Sequence, residues 1–171
     1  MTTPSTVHRV NERFPDTATG PAPTSRWLEG LRRRWPTGLG IGATAAASAV
    51  MTLLPDGLVL AISAWSVLLA AVIYLVWGVT RDQLTPTAGQ PGRRRLTAQT
   101  TAVLAFGAAA VAALTLDRAA ATYLLAGAWL CHAGWDVAHH RANAVVPRWY
   151  AETCLASDLV VAAYLIATAL A

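Results

Sequence analysis

The sequence predicts an all-helical bundle that crosses a bilayer about five times, with the amino terminus in the cytoplasm and the carboxyl terminus outside. Three observations predict it. Apolar residues make up 55% of the chain and charged residues only 13%, roughly half the charge of an ordinary soluble domain. Five apolar runs recur, each near the roughly 17 to 25 residues that about 30 Å of hydrocarbon requires of a helix. The short segments between the runs are alternately rich and poor in arginine, as the positive-inside bias demands.

Taken in order, residues 1–25 are polar, rich in Thr and Pro and without an apolar core, so they read as a disordered cytoplasmic tail with no cleavable signal peptide. His8 falls in this tail and reads as solvent-exposed. Residues 26–36 put Trp27, Leu28, Leu31 and Trp35 on one helical face and Glu29, Arg32 and Arg33 on the other, before Pro36 stops the turn. That pattern suits an amphipathic helix lying on the membrane surface, and equally a basic stretch that only sets topology. Residues 37–171 form the membrane bundle.

The first span, about 38–54, is short and glycine-rich. Gly38 and Gly42 form a GxxxG pair continued by Ala46, which predicts close helix packing; a dinucleotide loop is excluded because no strand precedes the glycines. Pro55, Asp56 and Gly57 make a tight turn into the second span, about 57–79, and would join the two as a hairpin. The third span runs about 97–116. Neither the second nor the third carries an internal charge, so both read as scaffold. The fourth span, about 119–140, and the fifth, about 151–171, carry nearly all the intramembrane ionisable groups. Arg26 and Arg32 to Arg34, Arg81 and Arg93 to Arg95, and Arg141 and Arg148 mark one side, while the opposite loops carry only Arg118. Trp35, Trp77, Trp149 and Tyr150 fall on the arginine-rich side, where amphipathic rings prefer headgroup depth.

All thirteen basic residues are Arg, giving a net charge of +4. This balance suits anionic lipid headgroups; the arginines lack the interleaved stacking aromatics of a nucleic-acid groove, so nucleic acid is excluded as a partner. Cys131 and Cys154 lie inside apolar runs and read as buried free thiols.

One constellation carries chemistry. The fourth span ends in CHAGWDVAHHR, and an ionisable group inside a membrane helix is costly enough to need a partner or a function. At about 100° per residue, His132, Asp136, His139 and Asn143 share a face, with Trp129 and His140 at its edge. The fifth span returns from the same side with Glu152, Cys154 and Asp158. The short connection RANAVVPRWY favours antiparallel neighbours, and His132 lies eight residues from His140, about 12 Å along the helix. Asp158 would then face His132 or Asp136, and Glu152 would sit near His139 and His140, in a pocket in the cytoplasmic half of the bilayer.

Neutral imidazole with carboxylate is what a divalent transition metal takes, zinc or iron above all, so His132, Asp136, His139, His140, Glu152 and Asp158 are the candidate ligands. Asp158 is also the candidate general base. A metal would lower the pKa of its bound water and supply a nucleophile against a lipid-like substrate. The same groups without a metal could pass protons. They could also only hydrogen-bond across a helix interface, docking their own helices, a membrane partner or a second copy of the chain.

Three resemblances bear on these readings. The His and Asp string resembles the histidine boxes of membrane desaturases and hydroxylases, but those build a di-iron site from several separate boxes and this chain brings three histidines to its spans. The mixture is also similar to the zinc-binding membrane hydrolases related to alkaline ceramidases, in which histidines lie near an aspartate and a serine; here one helix carries all three, with Ser157 as the matching serine. More closely, HxxWDxxHH at His132 to His140, the V-P loop at Val146 and Pro147, and then Cys154 and Asp158 resemble a family of small bacterial multi-pass proteins. That likeness covers the last forty or so residues and implies an inner-membrane protein whose focus is its last two spans, without bringing an activity with it.

Overall fold

The computed structural model describes residues 28–30 and 32–170. The expected tail at 1–25, Trp27 and Leu31 lie outside the described residues. Within 28–33 the described backbone is helical, and Leu28, Glu29, Arg32 and Arg33 are all exposed. From Arg34 onward the chain forms a second compact unit.

Among its described residues this unit is entirely helical. Helix α1 spans Trp35–Met51, α2 Asp56–Thr80, α3 Gly89–Ala113, α4 Arg118–Ala142 and α5 Arg148–Leu170, with a 3-10 turn at Pro86–Ala88 before α3. Three of the five, α2, α3 and α5, are long and apolar enough to cross a membrane. Helix α1 is 17 residues long, about 25 Å. Helix α4 has the length, but carries His132, Asp136, His139, His140 and terminal arginines.

The helix boundaries follow local chemistry. Pro36 does not stop a helix; it sits in the first turn of α1, where the missing N–H has no intrahelical partner to lose. Helix α3 starts eight residues before the expected apolar run, because Gly89 at φ +66° supplies the left-handed entry and the arginines at 93–95 are good helix formers that carry the first turns. Asp117 caps α4, its Oδ1 accepting from the amides of Ala119 and Ala120 at 3.0 and 3.1 Å. Asn143 in the left-handed region ends α4. The chain then turns through Val145 at φ +72°, a strained conformation for a β-branched residue. The Gln83 side chain accepts from the Val145 amide and holds it there.

Helix α5 is the hub. It lies between α4, its most extensive partner, and α1, while α4 also packs on α2 and α3, which pair with each other. The expected α1–α2 hairpin is therefore replaced by α1 against α5, and the two helices either side of Pro55 are parted by a cleft that Thr44 and Ser48 share with Val59 and Ser63. The close approach of α1 to α5 rests on Gly40, not on Gly38 and Gly42. A Cβ at Gly40 would collide with the Thr153 carbonyl oxygen and lie 2.9 Å from Ala156 Cβ, whereas Gly38 and Gly42 face open space. The core between α2, α3, α4 and α5 is built largely of alanines such as Ala64, Ala71, Ala110 and Ala121, with Leu125, Trp129 and Leu165 filling the remainder; small residues let membrane helices approach closely.

Every helix presents large apolar side chains outward, including Leu39 and Ile41 on α1 and Tyr123 and Leu130 on α4. Cys131 is exposed and Cys154 half-buried, so the expectation of two buried thiols fails for Cys131, which points away from the core.

Gly40→Val should lower the thermal stability of the detergent-purified protein by roughly 1–3 kcal/mol through overpacking. Gly42→Val should leave the melting temperature near wild type, and equal losses in the two variants would contradict the packing described.

Candidate metal centre

The site forms where α4 and α5 pass each other at the same depth. His132 lies ten residues before the end of α4 at Ala142, and Asp158 ten residues after the start of α5 at Arg148, about 15 Å along each helix. The buried stripe of α4 runs through Trp129, His132, Asp136 and His139, so these members of the expected polar face point inward, while Asn143, the left-handed cap past the helix end, is exposed. His132, Asp136 and Asp158 are 0%, 0% and 2% exposed.

His132 Nδ1 lies 2.7 Å from Asp158 Oδ2 and 3.6 Å from Asp136 Oδ1. The imidazole is therefore hydrogen-bonded to Asp158 across the α4–α5 interface, and Asp136 stands one turn along on the other side. The Tyr74 hydroxyl, from α2, donates to Asp136 Oδ1. Tyr74 and Phe106 present T-shaped contacts to the imidazole at centroid distances of 5.5 and 5.2 Å, and Trp129 does so at 6.3 Å. Two buried polar atoms of the triad, His132 Nε2 and Asp136 Oδ2, have no hydrogen-bond partner. Such orphans in a dry interior carry the full desolvation cost of the group.

The other three candidates lie elsewhere. His139 Nδ1 is 2.8 Å from the Trp135 carbonyl and its Nε2 is 2.7 Å from Gln99 Nε2. A carbonyl only accepts, so Nδ1 carries the proton, and Nε2 accepts from the Gln99 amide. Both ring nitrogens are occupied by protein, which makes His139 a satisfied core histidine. His140 and Glu152 meet each other only as walls of a separate groove between α1 and α5, where the Thr37 hydroxyl donates to Glu152. Among the described residues no hydrogen bond or ion pair joins Glu152 to His139.

The sequence reading of α2 and α3 as scaffold is corrected here. They supply Tyr74 to the triad, Gln99 to His139, and Ser63, whose hydroxyl accepts from Trp129 Nε1 at 2.9 Å. The available signal was a hydrogen-bonding side chain set in an apolar span, Tyr74 in IYLVW and Gln99 beside the threonines of the third. Being uncharged, neither is costly enough to stand out. Beyond Trp129 lies the cleft between α1 and α2, about 140 Å³, lined by Ser63, Ser66, Trp129 and Tyr164. Val145 and Val146 pack with Tyr74 and Ala151 in a small apolar cluster, so the strained loop after α4 helps hold the tyrosine.

His132, Asp136 and Asp158 each offer a ligand atom, all within 4.8 Å of one another, so this group could hold a metal ion. Tetrahedral contacts of about 2.1 Å set ligand atoms about 3.4 Å apart, so side-chain shifts on the order of 1 Å would close the set. The fold and site together define the class: a helical protein with three helices fit to cross a membrane and a buried His/Asp centre able to take a metal. No protein-family model, curated protein or solved structure matches the chain.

Gln99→Leu should destabilise the protein by about 1–3 kcal/mol, because His139 Nε2 would lose its only donor in a buried setting. Chemical denaturation checks this, and an unchanged midpoint would remove Gln99 from the network.

Proposed function

We propose that this is a multi-pass inner-membrane protein of five spans, amino terminus in the cytoplasm, that binds one divalent transition metal through His132, Asp136 and Asp158. The observation that carries the metal reading is charge balance in a dry site. Two carboxylates lie within reach of one imidazole, all almost wholly buried; a protonated His132 would offset only one of them, whereas a divalent cation with neutral imidazole offsets both. The unpartnered Asp136 Oδ2 gives that carboxylate a free oxygen for the ion. Zinc and iron are the ions whose preference fits one nitrogen and two oxygens, and the Tyr74 hydroxyl would orient Asp136 from outside the ligand set.

Five spans are supported by the outward apolar side chains of α1 and α4, whose polar residues lie on inner faces. Orientation is supported by the arginine bias and by the aromatic cluster at one end of the bundle, where Trp35 stacks on Trp149 and Trp77 lies against Tyr150. The bacterial inner membrane follows from the resemblance carried by His132 to Asp158. Three protein ligands leave a position for water, which the metal would acidify, with Asp158 serving as ligand or as base toward it. The cleft behind Trp129 offers a lipid-like substrate an approach from within the bilayer.

The second reading is proton transfer without a metal, favoured by the direct 2.7 Å His132–Asp158 hydrogen bond and the Tyr74–Asp136 bond, with His132 Nδ1 and Asp136 Oδ1 3.6 Å apart.

Elemental analysis of the detergent-purified protein should give about one metal per chain in wild type and in His139→Ala. His132→Ala, Asp136→Asn and Asp158→Asn should lose most of it. Metal absent from every form would sink the metal reading. In that case, pH-gradient-driven flux in liposomes, abolished by Asp136→Asn, would support the proton reading, and unaffected flux would end it.

A further inference from the structure

The groove between α1 and α5 is separate from the buried triad and has its own chemistry. These helices start at the same end and run parallel: Gly40, five residues into α1, touches Thr153 and Ala156, five and eight residues into α5. The groove between them, about 510 Å³, is polar at that end and apolar beyond it. Arg34, Thr37, His140 and Glu152 line its mouth, and Ile41, Leu155, Leu159, Val160 and Ala163 its stem. From Glu152 to Ala163 is eleven residues, about 16 Å of helix.

The charges at the mouth select the occupant. The Thr37 hydroxyl donates to Glu152 Oε1, which fixes the half-buried carboxylate, and among the described residues no cation forms an ion pair with it. Among the described residues the ion pairs are Arg118 with Asp56, and His132 with Asp136 and Asp158. Arg34 and Glu152 thus share one groove without pairing to each other. A carboxylate set in a membrane helix without a counter-charge is costly. A ligand that supplies an anion for Arg34, a cation for Glu152 and an apolar chain for the stem satisfies all three.

We propose that this groove binds a glycerophospholipid with a phosphate–ammonium headgroup bearing N–H donors, an ethanolamine phospholipid. The phosphate meets the Arg34 guanidinium and the His140 ring; the primary ammonium hydrogen-bonds Glu152; one acyl chain lies along Leu155, Leu159 and Ala163. A quaternary ammonium has no N–H to give Glu152, and a glycerol headgroup has no cation. The site does not depend on whether the His132 centre holds a metal.

Native mass spectrometry of the delipidated protein in detergent, titrated separately with phosphatidylethanolamine, phosphatidylglycerol and phosphatidylcholine, tests this. Wild type should bind phosphatidylethanolamine tightest. Glu152→Gln keeps an acceptor for Thr37 and should lower that affinity roughly tenfold, erasing the preference, since a hydrogen bond to a charged group is lost. Arg34→Gln should weaken all three lipids, and Ala163→Phe, at an exposed position, should block the stem and weaken all three as well. Glycerophosphoethanolamine, the headgroup without chains, should not compete. Metal content should be the same in all three variants, which separates failure here from failure of the metal centre. Phosphatidylglycerol bound as tightly as phosphatidylethanolamine, a preference that survives Glu152→Gln, wild-type binding by Ala163→Phe, or full competition by the free headgroup would each overturn the proposal.

Discussion

The hydrogen bond between His132 and Asp158 is the contact around which the bundle is organised. It joins the two helices that share the largest interface, at equal depth, in surroundings where an unpaired charge costs several kcal/mol. A slip of one helix past the other by a single residue, about 1.5 Å, would strand the carboxylate. The alanine-rich packing of α4 supplies close approach but little directional preference, so the polar contact sets the register that small side chains leave open.

From that contact the remaining polar groups sort into three separate systems. Asp136 is held by Tyr74 beside His132 and leaves an oxygen unsatisfied, within the group that could hold a metal ion. His139, only one turn away, is spent on Gln99 and a backbone carbonyl. His140 and Glu152 turn outward to the α1–α5 groove. These four residues of α4 and two of α5 thus divide between a buried triad, a satisfied core histidine and an open groove according to their angle around each helix axis.

The polar end of the bundle unites these systems. The loop at Val145 is held in a strained conformation by Gln83 and packs on Tyr74, which in turn orients Asp136. Near the same end, Trp35 and Trp149 stack close to the mouth of the groove. The opposite end is plainer: Asp117 caps α4, and Arg118 pairs with Asp56 at 2.7 Å between the two short connections, both side chains well exposed, so that pair adds little stability.

The sequence by itself determined the helical class, the apolar lengths of α2, α3 and α5, and the inward face of α4. These follow from local composition and the 3.6-residue period, and a short connection that favours antiparallel neighbours of matched depth placed Asp158 opposite His132 or Asp136. Only the tertiary structure decided that Gly40, not Gly38 or Gly42, lets α1 approach, that α1 lies on α5 instead of α2, and that His139 is a structural residue. It alone brought Tyr74 and Gln99 into contact with groups about 60 and 40 residues away. The reason is physical: periodicity reports which side of a helix avoids lipid, but which neighbour that side meets depends on the packing of all five helices at once.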